Sequence, residues 1–104
     1  MNLAIISGKL QKPAKFKGTE KKALSFVVET TYQPTDGEKP TVTQVPCVLF
    51  APVPDELAKK LTGETKGQRI ALQGRVSSSR FEGENGEVTV RTEVLAFTNS
   101  VEIG

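Results

Sequence analysis

Apolar and polar positions alternate with a period of two through most of the chain, the pattern of strands with one covered face. The first run covers residues 2–10. Leu3, Ile5 and Ser7 fall on one face and Ala4, Ile6 and Gly8 on the other, and Pro13 ends or bends the run. Lys15-Phe16-Lys17 resumes pairing before a turn at Gly18. In the second run, 23–32, Leu24, Phe26, Val28, Thr30 and Tyr32 share a face. A stretch dense in turn residues, 33–40, then reads as a long hairpin loop. The third run, 41–50, sets Val45, Cys47 and Leu49 against Val48 and Phe50, with Pro46 marking an edge or a bulge.

The period then changes. Residues 54–61 place Pro54 at the first helical position, acids in the first turn and lysines in the last. Leu57, Ala58 and Leu61 form a narrow apolar stripe, and Gly63 is a stop signal. This predicts a short helix. A fourth strand, 68–81, carries Ile70, Leu72 and Val76 on one face, with Gly74 marking a bulge or a bend at a barrel corner. Asn85-Gly86 signals a hairpin. A fifth strand, 88–103, alternates Val88, Val90, Thr92, Val94 and Ala96 against Thr89, Arg91, Glu93, Leu95 and Phe97. Three strands, a helix and two strands is the element order of an all-β OB-fold, a five-stranded Greek-key barrel with its helix between strands three and four. An SH3-like barrel or a small sandwich shares only the strand count.

Composition narrows the picture. A chain of 104 residues is the size of one domain, so residues 1–104 are read as a single unit. The 14 basic and 12 acidic residues nearly balance. From 9 to 22, however, six lysines (Lys9, Lys12, Lys15, Lys17, Lys21, Lys22) meet a single acid, Glu20. Such a local excess attracts phosphates, or is simply a solvated edge. One cysteine, Cys47, excludes an internal disulfide and points to a reducing compartment. No basic region precedes the short apolar start, and no apolar run is long enough for a membrane span. A cytoplasmic protein with no membrane partner is expected.

The same inventory argues against an enzyme. There is no histidine, and one cysteine cannot build a thiolate metal cage, so neither metal nor cofactor is expected. The stretch 63–67 lacks the lysine followed by Ser/Thr of a phosphate loop. Asp55 and Glu56 sit at a helix start, where dipole compensation explains them.

In detail the chain resembles the DNA-binding domain of bacterial single-stranded DNA-binding proteins. The likeness runs over nearly the whole length: the opening 2–10 with Pro13 after it, 24–30, Val48-Leu49-Phe50 before the helix, 66–76 with its two glycines, Arg80-Phe81, the 83–86 turn and Thr92-Glu93-Val94. The resemblance implies sequence-nonspecific binding of single-stranded DNA in replication, repair or recombination, with RNA not excluded. It also implies a homodimer or homotetramer paired through the first strand, and replication or repair proteins as further partners. Apolar residues on both faces of 3–6 suit such pairing. The chain departs from the family in having no tryptophan. At the matching places stand Tyr32 or a near neighbour, Val45 and Phe81, while the third-strand phenylalanine is kept as Phe50. The closing turn is acidic (Glu82, Glu84, Glu87), and the family's acidic-tipped tail has no counterpart before Gly104. That matches a tail-less relative, like the primosomal replication protein N branch, or a shortened piece.

Binding a single strand without sequence preference needs a basic path and aromatic faces for stacking. The stacking candidates are Tyr32, Phe50 and Phe81, with Phe16 interleaved between lysines; Phe26 and Phe97 are assigned to packing. Phe50 lies opposite the Cys47/Leu49 set and points outward if that set lines the barrel. The structural alternatives are a core or interface position for Phe50 and a loop anchor for Tyr32. Backbone contacts fall to Lys9, Lys15, Lys17, Arg69, Arg75 and Arg80. The competing class is an OB-fold protein-interaction module, of primosome or assembly type, with weak or lost nucleic-acid binding.

Overall fold

The structure, a computed structural model, describes residues 2–17, 23–50, 52–63 and 67–104. The predicted turn at Gly18, Lys21, Lys22 and Lys66 lie outside the described residues. In chain order the elements are β1 (Ala4–Leu10), β2 (Lys15–Lys17), β3 (Ala23–Tyr32), β4 (Thr41–Phe50), α1 (Asp55–Thr62), β5 (Gln68–Glu82), β6 (Val88–Ala96), a 3-10 turn (Thr98–Ser100) and β7 (Glu102–Ile103). The sheet runs β1-β3-β4-β6-β5, and pairing of β1 with β5 closes it into a ring. β4 and β6 pair in parallel, the other strands antiparallel. With one helix between β4 and β5, this is the predicted OB-fold barrel.

Alternation decides which side chains fill the barrel. Leu24, Phe26 and Val28 of β3 face Leu49, Cys47 and Val45 of β4 in register. All but the half-buried Val45 join Leu10, Ile70, Leu72, Val94 and Ala96 in one buried cluster, and Val45 packs against it. Each fully buried Leu or Phe contributes about 2 kcal/mol. Leu61 closes the barrel from α1 and is fully buried, and its carbonyl accepts the Ala14 N–H at 2.8 Å. Pro54 takes the N-cap position, so the helix begins at Asp55, one residue later than the pattern predicts.

Gly74 is the corner. Before it β5 pairs with β1, up to Ala4 opposite Gly74; after it β5 pairs with β6, starting at Ala96 opposite Gly74. A Cβ here would stand 2.3 Å from the Leu95 carbonyl oxygen, so no side chain fits. Where β1 ends, the Asn2 carboxamide extends the ladder. Its Nδ2 donates to the Val76 carbonyl at 2.7 Å and its Oδ1 accepts the Val76 N–H at 2.9 Å.

Two expectations are corrected. Val76 shares the core face but is 42% exposed, because β5 runs past the corner into a hairpin arm with β6. The predicted fifth strand breaks at Phe97, where the chain enters the 3-10 turn before β7. Ser100 holds that turn to β5: its hydroxyl accepts the Gln73 N–H at 2.9 Å and lies 2.7 Å from the Phe97 carbonyl. Pro46 causes no bulge. Residues 41–46 of β4 pair only with β3, so the missing N–H falls where β4 is still an edge.

Candidate nucleic-acid interface

Residues paired in register share a face of a sheet. Followed across five strands, the register yields one row: Lys15, Ser25, Val48, Leu95, Arg75. The parity of this row is opposite to Cys47 and Leu49, so it lies on the outside of the barrel. Its cationic ends are exposed and stand about 19 Å apart along the sheet, at about 4.8 Å per strand step. Val48, at the middle of the row, is buried even on this face. Phe50, two residues on, has only Ala23 as its register partner and is 55% exposed. The phase argument for Phe50 therefore holds, and its core alternative is excluded.

Phe97 joins this surface, against the expectation that it packs. It is 45% exposed, and its N–H donates to the Gln73 carbonyl at 2.8 Å, next to Arg75 on the outer side of β5. The signal was present in the chain: Phe97 follows Leu95 on the face opposite Val94 and Ala96.

The other candidates lie elsewhere. Lys9 and Arg69 face each other across β1 and β5, both exposed, at a cleft of about 550 Å³ that Glu29 and Glu102 also line. Tyr32 is 67% exposed opposite Thr41, but it carries the core-face parity of β3. It is reachable because the β3–β4 ribbon outruns the barrel. Tyr32 and Phe50 thus occupy opposite faces and opposite ends of that ribbon, about 30 Å apart. Arg80 lies exposed on the β5–β6 arm, opposite Val90. Because β4 and β6 run parallel, both arms leave the same end of the barrel. Phe16 is 39% exposed and faces Leu24, whereas Lys15 faces Ser25, so strand alternation puts ring and cation on opposite faces. Val45 is half-buried. Lys17 and Phe81 are placed by backbone register opposite Ala23 and Thr89; their side chains lie outside the described ones.

The structure thus sets Lys15, Phe50, Arg75 and Phe97 on the outer face of the barrel, Lys9 and Arg69 on its β1–β5 side, and Tyr32 and Arg80 on the arms. Among the described residues, Lys9, Lys15, Arg69, Arg75 and Arg80 have no side-chain hydrogen bond or ion pair, which leaves their charge available to phosphates. Also among the described residues, no cluster of three metal-ligating side chains occurs, and no helix is long and apolar enough to cross a membrane.

These features have relatives. The sequence model of the single-strand binding protein family matches residues 1–102, and the chain belongs to that family. A single-stranded DNA-binding protein of Fusobacterium nucleatum is 28% identical over 109 aligned positions, which take in the whole of this chain and 67% of the relative. The solved structure of a Plasmodium falciparum SSB in complex with ssDNA is similar at a TM-score of 0.74 and 16% identity, covering 99% of this chain and 92% of that one. At that identity the likeness establishes the shared OB barrel.

Proposed function

We propose that the chain binds single-stranded DNA without catalysis and largely without regard to sequence, as a cytoplasmic coat in replication, repair or recombination. The observation that carries this reading is the outer row with exposed cations at both ends, Lys15 and Arg75, and exposed rings, Phe50 and Phe97, beside it. Phosphates follow the cations while bases stack on the rings, each stack contributing about 1–3 kcal/mol. Lys9 and Arg69 continue the path around the barrel. We extend the reading to a homodimer or homotetramer, for which Ile5 and Leu3 offer an exposed apolar face.

Fluorescence anisotropy with oligo-dT, duplex and RNA tests it. Single strands should bind in preference to duplex, and four to six phosphate contacts give a log–log salt slope of roughly −3 to −4. Phe50→Ala should weaken oligo-dT binding by about 1–3 kcal/mol. Silence on all three ligands would instead favour a protein-interaction module. The observation on that side is the β5–β6 arm, where Val88 and Val90 are 47% and 58% exposed beside the acidic turn.

A further inference from the structure

A second cavity, of about 270 Å³, opens on the outer surface between Lys9 and Lys15. It sits where the chain crosses from β1 to β2 along the edge of β3. Lys9 faces Glu29 on one side of it and Lys15 faces Ser25 on the other, about 13 Å apart along β3. A nucleic-acid strand that follows Lys9 to Lys15 passes over its mouth. The space is many times the ~30 Å³ share of one water. Pro13 and Val27 supply apolar wall, and Val27 is 43% exposed. The polar lining is one carboxylate, Glu29, with the carboxamides of Gln11 and Gln44, the hydroxyl of Ser25 and the ammonium groups of Lys12 and Lys15. Gln11 Nε2 reaches one Glu29 oxygen at 3.4 Å, a long bond, while the other oxygen makes no hydrogen bond to a described residue. Gln44, opposite Glu29 in register, is exposed.

We infer that this cavity seats one splayed-out base of the bound strand and favours guanine. The inference rests on the single-strand reading above. Guanine is the one DNA base whose pairing edge presents two adjacent donors, N1–H and the N2 amino group, next to an acceptor, O6. A carboxylate is an acceptor only and takes both donors. A carboxamide N–H or an ammonium then donates to O6. Thymine brings a single N–H flanked by two carbonyls, so one carbonyl oxygen meets the carboxylate and is repelled. Adenine and cytosine each place a ring acceptor beside their amino group, with the same conflict. Reading splayed bases on these edges is the usual route to specificity on single strands. Here it adds a bias at one position to binding that stacking and phosphates otherwise make sequence-neutral.

The test is competition anisotropy on the full chain, using oligo-dT with one central position changed to dG, dA, dC or deoxyinosine. One dG should tighten binding roughly fivefold to tenfold, the low end for a bidentate base contact. Deoxyinosine, which lacks the N2 amino group, should lose most of that gain. Glu29→Gln should bring the dG-to-dT ratio close to one, and Gln44→Ala, at an exposed position, should lower it by a smaller factor. Glu56→Gln on α1 should leave the ratio unchanged. Equal affinity for all five oligonucleotides, or a full dG preference in Glu29→Gln, would overturn the base pocket while leaving single-strand binding intact. No binding to any oligonucleotide would overturn both.

Discussion

Cys47 lies fully buried in β4, facing Phe26 across the ladder, with its Sγ 3.5 Å from the Val45 carbonyl oxygen. Burial first, and then the charge of Glu93, push its thiol up from 9.0 to about 12. This couples stability to pH. Above pH 9.0 the unfolded chain releases the thiol proton and the folded chain keeps it, so folding is penalised progressively as pH rises. The contribution is fully present below 9.0 and fades towards 12. Between pH 8 and pH 10 the loss is about 1.4 kcal/mol, one pK unit's worth. Urea denaturation across that range should show the wild type losing that much more stability than Cys47→Ala, which has no thiol to ionise. Parallel pH curves for the two proteins would refute the assignment. Because the thiolate is the nucleophile, the native thiol should also resist alkylation by iodoacetamide at pH 8.

At the scale of elements, the barrel depends on one corner. Gly74 lets β5 exchange β1 for β6 because the Leu95 carbonyl and the Ala96 backbone occupy the space of a side chain. Backbone cannot step aside as a side chain would, so Gly74→Ala should cost about 3 kcal/mol. Thermal melts against Gly83→Ala, whose Cβ would meet nothing nearer than 3.6 Å, isolate the effect; equal melting of the two would refute it. The bend at Gly74 was legible in the chain as a glycine interrupting an apolar face, and so was the outward phase of Phe50. Alternation shows which face a residue takes, but not how far the barrel extends. Val76 and Val90 carry core parity on a ribbon that has left the core, and so do Tyr32 and Arg80. No glycine or proline marks the break at Phe97, which is made by the Ser100 hydroxyl and the Gln73 backbone. The row from Lys15 to Arg75 was illegible for another reason. It needs the parallel register of β4 against β6, a long-range pairing that neither strand's own pattern contains.

For the whole molecule, the radius of gyration is 15.1 Å, against roughly 13 Å for a compact chain of this length. The excess is the two hairpin arms leaving one end of the barrel. β1 supplies a different kind of surface. It pairs with β5 from Ala4 to Leu10 but meets β3 only at Lys9 and Leu10, so its first residues keep an unpaired edge among the described residues. On the outer face there, Ile5 is 71% exposed and Leu3 51%. An open edge beside exposed apolar side chains is a template for another strand. A second copy of β1, related by a two-fold axis, matches it in both hydrogen bonds and apolar surface. Size-exclusion chromatography with light scattering should then give two or four times the 11.2 kDa chain mass. Ile5→Lys leaves the core untouched, since the side chain already points to solvent, but sets two like charges near each other across the two-fold axis. It should elute at the mass of one chain with its circular dichroism unchanged. A wild type that is monomeric at the highest measurable concentration, or an Ile5→Lys variant that still assembles, would move the interface away from β1. If the pairing holds, each assembly carries its cationic rows in multiple copies. Loss of assembly should then weaken long oligonucleotides far more than short ones, because only a long strand engages two tethered sites at once.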